Sequence, residues 1–483
     1  MVRYNKFNRR LLRKNHTLRE SSSEDELVTF FLDAFKPNRE QKTFSEHNLD
    51  HGIEKDTNIH SGIVLTAEQM KYLKTKDYEY NAAAGSILER LFMQRFWCWS
   101  TNFVPLSIMP CTITAIGFVI NLVTSSILIY YSPTAINPVP TWTLYLAAVG
   151  VLLYQTADAL DGKQCYKIQN SQIEEFYDHA CDSVSTILLM YSVTISTNCG
   201  QYPTLLIVLV YCSLVAFWST HWQCYITNQM IFGNIDVTEA QFAMIVTHLC
   251  SAVFGQQIWS IQLSLWKGVI VQTNQLLAWA TLLTLFRSIW LNCRIVLFCG
   301  KTPLEIVGAL QFKRRSDTLR PLVPIVLLTL LLMSNWYFLS KPQHHHNNIE
   351  KTFFLVTFVG TFGTSIAKLT MRLVLDHCTN VDAPIIDIAL IPSTIFLLTQ
   401  LTPLCAYSSY VLFFTMLSNC IILTQFFIAV GFDMQIAMDI RIFSLKYPPG
   451  HPKNRTSHKG VYINGLNNAQ ILSNFFKSSS IID

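Results

Sequence analysis

The sequence predicts an all-α, polytopic membrane protein: about ten transmembrane helices with an interfacial amphipathic helix before the first. Three observations lead there. Of 483 residues, 51% are hydrophobic and only 14% are charged, whereas soluble domains carry about 25% charged residues. Mean hydropathy is positive, at +0.30. Apolar runs long enough to span a bilayer, about 20 residues each, recur between a polar stretch at each end of the chain.

The elements follow in order. Residues 1–78 are polar and hold both the basic stretch RYNKFNRRLLRKNH and the acidic run ESSSEDE. They read as a polar cytosolic N-terminal tail with no cleavable signal peptide, so insertion rests on the first spanning helix. Residues 79–432 form the membrane domain, and 433–483 form a second polar cytosolic tail. SILERLFMQRFWCWSTNFVP (86–105) places aromatics and leucines at helical spacing with Glu and Arg between them. That is the pattern of a helix lying in the membrane interface. Spanning segments are predicted near 111–131, 139–160, 179–198, 203–220, 239–256, 270–298, 320–339, 352–368, 384–403 and 410–431. The fifth and eighth are the weakest candidates, because each carries polar residues. No internal repeat is visible.

Lys and Arg resist translocation, so their distribution sets orientation. With the N-terminus in the cytosol, fifteen Lys and Arg beyond the N-terminal tail fall on the cytosolic side, and three (Lys267, Lys341 and Lys351) on the other. Both termini are therefore expected inside, with the sequons at Asn15 and Asn454 cytosolic and unglycosylated. The net charge of +5 is small. The basic residues sit in tails and short loops without interleaved aromatics, which argues against nucleic-acid binding. Thirteen cysteines are scattered with no CxxC pair and no Cys/His metal spacing, as expected of buried thiols. HHH at 344–346 falls in a short loop on the far side. Arg287, deep in the sixth segment, is a candidate to face the bundle interior.

Chemistry is concentrated in one place. Asp158 and Asp161 lie i, i+3 near the end of the second segment, and Asp178 and Asp182 lie i, i+4 at the start of the third. Either spacing puts a pair on one helix face. If the two helices pack antiparallel through the loop 162–177, the faces meet. Converging carboxylates in a partly dry place repel one another unless protons or cations lie between them. Carboxylate-only ligands suit Mg²⁺ or Mn²⁺, and two such ions can clamp a phosphoryl group. The competing reading is four solvated, inert loop carboxylates beside cytosolic lysines.

These residues also resemble a known family. DALDGKQ (158–164) followed by EFYDHACDS (175–183) is similar to the signature of the CDP-alcohol phosphotransferases, and to the choline/ethanolamine phosphotransferase branch in particular. KTKDYEYNAAAGSILE (74–89), RFWCW (95–99), PCTITAIGFVINL (110–122), IYYSP (129–133) and AKLTMRLVLDHCT (367–379) also resemble that branch, so the likeness covers about 74–440. The resemblance implies two Mg²⁺ or Mn²⁺ ions held by Asp158, Asp161 and Asp178 with Asp182 nearby. It makes Asp182 the candidate general base and His179 a competing one. Gly162, Lys163, Gln164 and Lys167 become candidates to bind the substrate diphosphate. The implied reaction is attack of a diacylglycerol hydroxyl on CDP-choline or CDP-ethanolamine, with CMP leaving. The implied setting is the membrane lipid of the endoplasmic reticulum or Golgi, with a cytosolic active site and a homodimeric assembly.

The signature is altered at four places. Cys165–Tyr166 replaces the family's Ala-Arg, the spacer is one residue shorter, Glu174 stands where a Gly belongs, and Cys111 replaces the Asn after Pro110. The metal half of the site is thus intact while the nucleotide half differs. Two rival functions follow: a catalytically silent relative that binds lipid or a partner, and an ion- or proton-coupled transporter. The transporter predicts charges spread through several helices at mid-depth, whereas these acids gather at one membrane face.

Overall fold

The computed structural model describes residues 61–76, 78, 86–231, 236–264, 270–298, 318–340, 348–448 and 451. All belong to one unit, 58–483. The sequons, the HHH run and Lys267 and Lys341 lie outside the described residues. Two short helices come first: α1 (Ala67–Thr75) and α2 (Gln94–Ser100). Ten longer elements then follow the ten predicted segments: α3 (Pro110–Tyr131), α4 (Thr141–Cys165), α5 (Gln172–Ser196), α6 (Pro203–Thr227) and α7 (Val237–Phe254), then α8 (Thr273–Phe298), α9 (Leu322–Leu339), α10 (Asn348–Cys378), α11 (Leu390–Thr399) and α12 (Ser408–Met438). A hairpin not read from the sequence, β1 (Gln262–Ser264) paired antiparallel with β2 (Ile270–Gln272), joins α7 to α8.

Eight of these helices are long and apolar enough to cross a membrane by length and composition. The two exceptions are informative. α5 is 25 residues long but carries Glu174, Glu175, Asp178 and Asp182 near its start. α11 has only 10 residues, about 15 Å at 1.5 Å per residue, half of a hydrocarbon core. Before it, Asp387 is buried in an ion pair with Lys368 of α10 at 2.5 Å; after it, Pro403 opens a 3₁₀ turn. The predicted segment 384–403 is apolar enough for a span, but this ion pair and turn shorten its helix.

α5 and α10 sit centrally. α10 packs on α5, α6 and α12, while α3 packs on α4 and α5, α4 on α7, and α6 on α8. The most apolar window of α10 is 78% buried and that of α8 only 17%, so α10 faces protein and α8 mostly faces lipid. α10 also runs ten residues past its predicted end. Lys368 ends the predicted segment and Arg372 and Asp376 lie in the extension, and each has a partner: Lys368 has Asp387 and the Phe426 ring, and Arg372 Nε lies 3.0 Å from Asp376. Charges matched inside a protein do not end a helix as charges facing lipid would.

The approach to the membrane is built by capping. A π-helical turn, Glu89–Met93, leads into α2, with Leu91, Phe92, Phe96, Trp99 and Phe103 exposed and Trp97 buried. This is the interfacial amphipathic helix. Glu239 in the first turn of α7 accepts Leu88 N at 2.7 Å and Asp236 N at 3.1 Å, joining the start of that helix to the bundle. Residues 61–76 fold onto the bundle too. The Asp433 carboxylate of α12 accepts three backbone N–H groups, from Ile63 (2.8 Å), Val64 (2.7 Å) and Leu65 (2.9 Å). Gln69 Nε2 donates to Thr379 Oγ1 at 3.1 Å.

Arg287 is exposed on the outer face of α8. The expectation that it faces the interior is corrected: its helix turns Ala278, Leu282 and Asn292 inward instead.

Candidate active site

α4 reaches Cys165 and α5 starts at Gln172, so the connection is six residues, 166–171. The expected loop 162–177 is therefore mostly helix. Gly162, Lys163 and Gln164 form the last turn of α4, and Glu174 through Asp178 the first turns of α5. Two regular helices with a short connector hold the carboxylates at fixed spacing, which a long loop would not do.

Oxygens of Asp158, Asp178 and Asp182 lie within 4.8 Å of one another. All three residues are half-buried. Asp161 is buried, and its Oδ2 accepts a hydrogen bond from Thr114 Oγ1 of α3. Asp182 Oδ1 accepts one from Tyr154 OH of α4. Asp178 Oδ1 is buried with no hydrogen-bond partner among the described residues. Within the described residues no Lys or Arg forms an ion pair with any of the four; the nearest basic group is His179 Nε2, 4.0 Å from Asp178 Oδ2. An orphaned carboxylate oxygen in an all-oxygen, cation-free cluster fits a hard divalent ion such as Mg²⁺ or Mn²⁺.

His179 is buried, with its ring 4.5 Å from that of His221 on α6 and its Nδ1 unpartnered among the described residues. One turn earlier on α5, Glu175 Oε1 lies 3.6 Å from His377 Nε2. A cluster of imidazoles thus flanks the acidic one.

The candidate substrate residues separate into two groups. A Cβ at Gly162 would meet nothing within 4 Å, and Gly162 lines the cavity. Lys163 and Lys167 line it too, each tethered to the interfacial segment: Lys163 Nζ donates to Gln94 Oε1 at 2.8 Å and Lys167 Nζ to Thr101 O at 2.6 Å. Burial of its ammonium pushes Lys167 below the usual lysine range. Gln164 is different. It is fully buried beneath the chain before α3, where Nε2 donates to Pro105 O (2.9 Å) and Ile108 O (3.1 Å). The helical turn carries it away from the cavity lining, so its expected substrate contact is corrected to a structural tie.

Glu174 lines the cavity but spends its charge locally. Its Oε1 accepts from Gln169 Nε2 at 2.6 Å, and its Oε2 from Ser171 Oγ. The carboxylate thereby fastens the connector to the start of α5. Cys111, Cys165 and Tyr166 also line this part of the cavity.

The cavity measures about 2170 Å³ and is walled by α3 through α8. Sequence reasoning missed two of its polar groups, Thr114 and Tyr154. Tyr154 was within reach, since it stands four residues before Asp158 on the same helix face. Thr114 was not, because only tertiary packing of α3 on α4 brings it to Asp161.

No family model matches the chain. Curated relatives do. The chain is 32% identical over 388 residues to cholinephosphotransferase 1 of Danio rerio, covering 80% of this chain and 97% of that protein. It is 29% identical over 392 residues to cholinephosphotransferase 1 of Rattus norvegicus, covering 80% and 93%. An uncharacterized CDP-alcohol phosphatidyltransferase class-I family protein 3 of Dictyostelium discoideum is 30% identical over 337 residues, covering 65% and 81%.

Proposed function

The chain belongs to the CDP-alcohol phosphotransferase family, and from that premise we propose that it moves phosphocholine or phosphoethanolamine from CDP-choline or CDP-ethanolamine to diacylglycerol, releasing CMP. It is an integral-membrane transferase of phospholipid biosynthesis. The observation that carries the specific reading is the convergence of Asp158, Asp178 and Asp182 on the wall of a cavity inside the membrane domain.

The hydroxyl oxygen of diacylglycerol attacks the β-phosphorus, the bond from that phosphorus to the CMP oxygen breaks, and the hydroxyl proton leaves to a base. Asp182, oriented by Tyr154, takes that proton; His179 is the competing acceptor. Divalent ions, when bound, offset the charge developing on the diphosphate. Asp158, Asp178 and Asp182 would hold them, and Asp161 stands behind, fixed by Thr114. Lys163 and Lys167 meet the diphosphate as point charges, and the open space at Gly162 admits it. The cavity confines the lipid and orients its hydroxyl. The charge asymmetry across the segments supports a cytosolic active site and cytosolic termini, in the membrane of the endoplasmic reticulum or Golgi.

The test is turnover by purified protein with Mn²⁺, diacylglycerol and labelled CDP-choline or CDP-ethanolamine. Release of CMP and labelled phospholipid is expected, and is abolished in Asp178→Asn and Asp182→Asn. The substitutions Cys165, Tyr166 and Glu174 favour one rival, a catalytically silent relative. A folded preparation that turns over neither donor would establish that rival.

A further inference from the structure

One face of α5 lines the cavity along nearly its whole length: Asp178, Asp182, Thr186, Met190, Thr194 and Thr197. The spacing of three or four residues makes this a single stripe. It starts as carboxylate and then loses its polarity. Thr186, Thr194 and Thr197 donate to carbonyls of their own helix, at Asp182 O (2.9 Å), Tyr191 O (2.7 Å) and Val193 O (3.0 Å). Their hydroxyl protons are thereby spent inside the helix. α8 supplies the other wall through Leu277, Ala278, Thr281 and Leu285, with Thr281 Oγ1 likewise bonded to Leu277 O at 2.9 Å. Walls of this kind suit a hydrocarbon chain.

The far end of this passage is lined by Thr197, Cys199 and Asn274 and cross-tied by hydrogen bonds. α5 ends at Ser196, and two residues on Asn198 takes the left-handed conformation at φ 52°. Gln256, just after α7, ties the corner: its Nε2 donates to Ile195 O (2.8 Å) and Asn198 Oδ1 (3.0 Å), and its Oε1 accepts Val139 N (2.7 Å). Asn274, at the start of α8, is buried and donates to Thr197 O at 3.4 Å. Gly200 N donates to Ala135 O at 2.9 Å, and a Cβ at Gly200 would collide with the backbone of Thr134 and Ala135. The connections at the ends of α3, α5 and α7 and the start of α8 are thus pinned into one floor.

From Asp182 to Thr197 the helix rises about 22 Å, at about 1.5 Å per residue. A hydrocarbon zigzag with carbon–carbon bonds of about 1.5 Å advances about 1.25 Å per atom, so the passage holds about 18 chain atoms. Glycerol and ester take about four of these, which leaves room for about 14 carbons.

We infer that this floor is a ruler for the acceptor lipid: Thr197, Asn274 and the Gln256 network end the longest acyl chain that enters beside α5. The inference rests on the proposed reaction only in placing the reacting hydroxyl at Asp182.

The experiment uses the full chain in lipid nanodiscs and diacylglycerols with matched chains, stepped two carbons at a time from well below the ruler length to well above it. Rates are expected to fall about tenfold or more between the last chain that fits and the next. Val193→Phe fills the passage four residues short of Thr197, about 6 Å or about five carbons nearer the acids. Met190→Phe fills it seven residues short, about 10 Å or about eight carbons. The cut-off is expected to move to shorter chains by those two different amounts. The readout is the profile normalised within each variant, so a general loss of activity does not move it. Normalised profiles that coincide with the wild type overturn the inference. If neither CDP-alcohol supports turnover in the wild type, the proposed reaction fails on its own, and the ruler is then read by mass spectrometry from the diacylglycerols each protein retains. Shorter retained chains in the two variants uphold it, and identical ones overturn it.

Discussion

Asp178→Asn is expected to make the metal-free protein more stable and the metal-loaded protein inactive. The reasoning is electrostatic. With oxygens of Asp158, Asp178 and Asp182 within 4.8 Å, each ionised pair repels by about 3.5 kcal/mol or more at an effective dielectric constant of about 20. Removing one member deletes two of the three pair terms. Protonation relieves much of that repulsion in the wild type, so the gain surviving in the metal-free variant is about 1–3 kcal/mol. The same change removes a ligand whose Oδ1 has no other partner. Saturating Mn²⁺ should stabilise the wild type by about 3 kcal/mol at one hundred times Kd and the variant by much less. The assay is the apparent Tm of each protein in EDTA and in Mn²⁺, followed by intrinsic tryptophan fluorescence. The expected pattern is a crossover: variant above wild type without metal, below it with metal, and turnover down by about 10²–10³-fold or more. A variant that is less stable than the wild type in EDTA, or that keeps the full Mn²⁺ shift, would refute a repulsive cluster bridged by cations.

Tyr154→Phe deletes the donor to Asp182 while keeping the ring, so kcat is expected to fall about tenfold or more, matching the loss of a hydrogen bond to a charged group, with KM for the CDP-alcohol unchanged; steady-state kinetics decide it, and an unchanged kcat would remove Asp182 orientation from the mechanism. Glu174→Gly removes the acceptor of Ser171 Oγ and leaves Gln169 Nε2 only Arg441 O at 3.2 Å, and is expected to cost about 1–3 kcal/mol, seen as a lower Tm, while KM for the CDP-alcohol moves less than about threefold because the lost charge was turned into the connector. A KM that drops sharply would mean that the side chain obstructs the nucleotide. Asp433→Asn leaves the three N–H groups of Ile63, Val64 and Leu65 with a single acceptor oxygen beside a competing donor; local stability falls by about 1.5–3 kcal/mol, and faster proteolytic cleavage within 61–66 is the expected sign.

Helix number and order were legible because hydropathy reports what faces lipid, and most of these helices face it on one side. The failures share a cause, since hydropathy does not see polar groups that are satisfied by protein. α5 begins seven residues before its predicted start, and in those residues Gln172, Glu174 and Glu175 are all buried. α10 continues through Lys368, Arg372 and Asp376 because each is paired. The docking of residues 61–76 uses an aspartate 370 residues away from Ile63, together with the burial of Leu65, Met70 and Leu73, and local composition there reads as solvated tail. Arg287 failed in the opposite sense. Depth in a segment does not fix burial, and the outward face of α8 carries this residue.

The acidic site was legible for a geometric reason. Spacings of three and four residues fix a helix face before any tertiary contact exists, and the six-residue connector leaves α4 and α5 little freedom except to bring those faces together. Spacing alone could not rank the four aspartates. Asp161 is buried where the other three are half-buried, and Thr114 opposite withdraws one of its oxygens from the cluster. The same limit explains Gln164: three residues beyond Asp161 in α4, it is turned under Pro105 and Ile108 by packing that begins outside the motif. A motif therefore specifies which side chains share a helix face, and the neighbouring helix decides which of them remain free to meet a ligand. In this protein α3 makes that selection, so substitutions at Thr114, where the motif has no residue, should redistribute the cluster as strongly as substitutions within it.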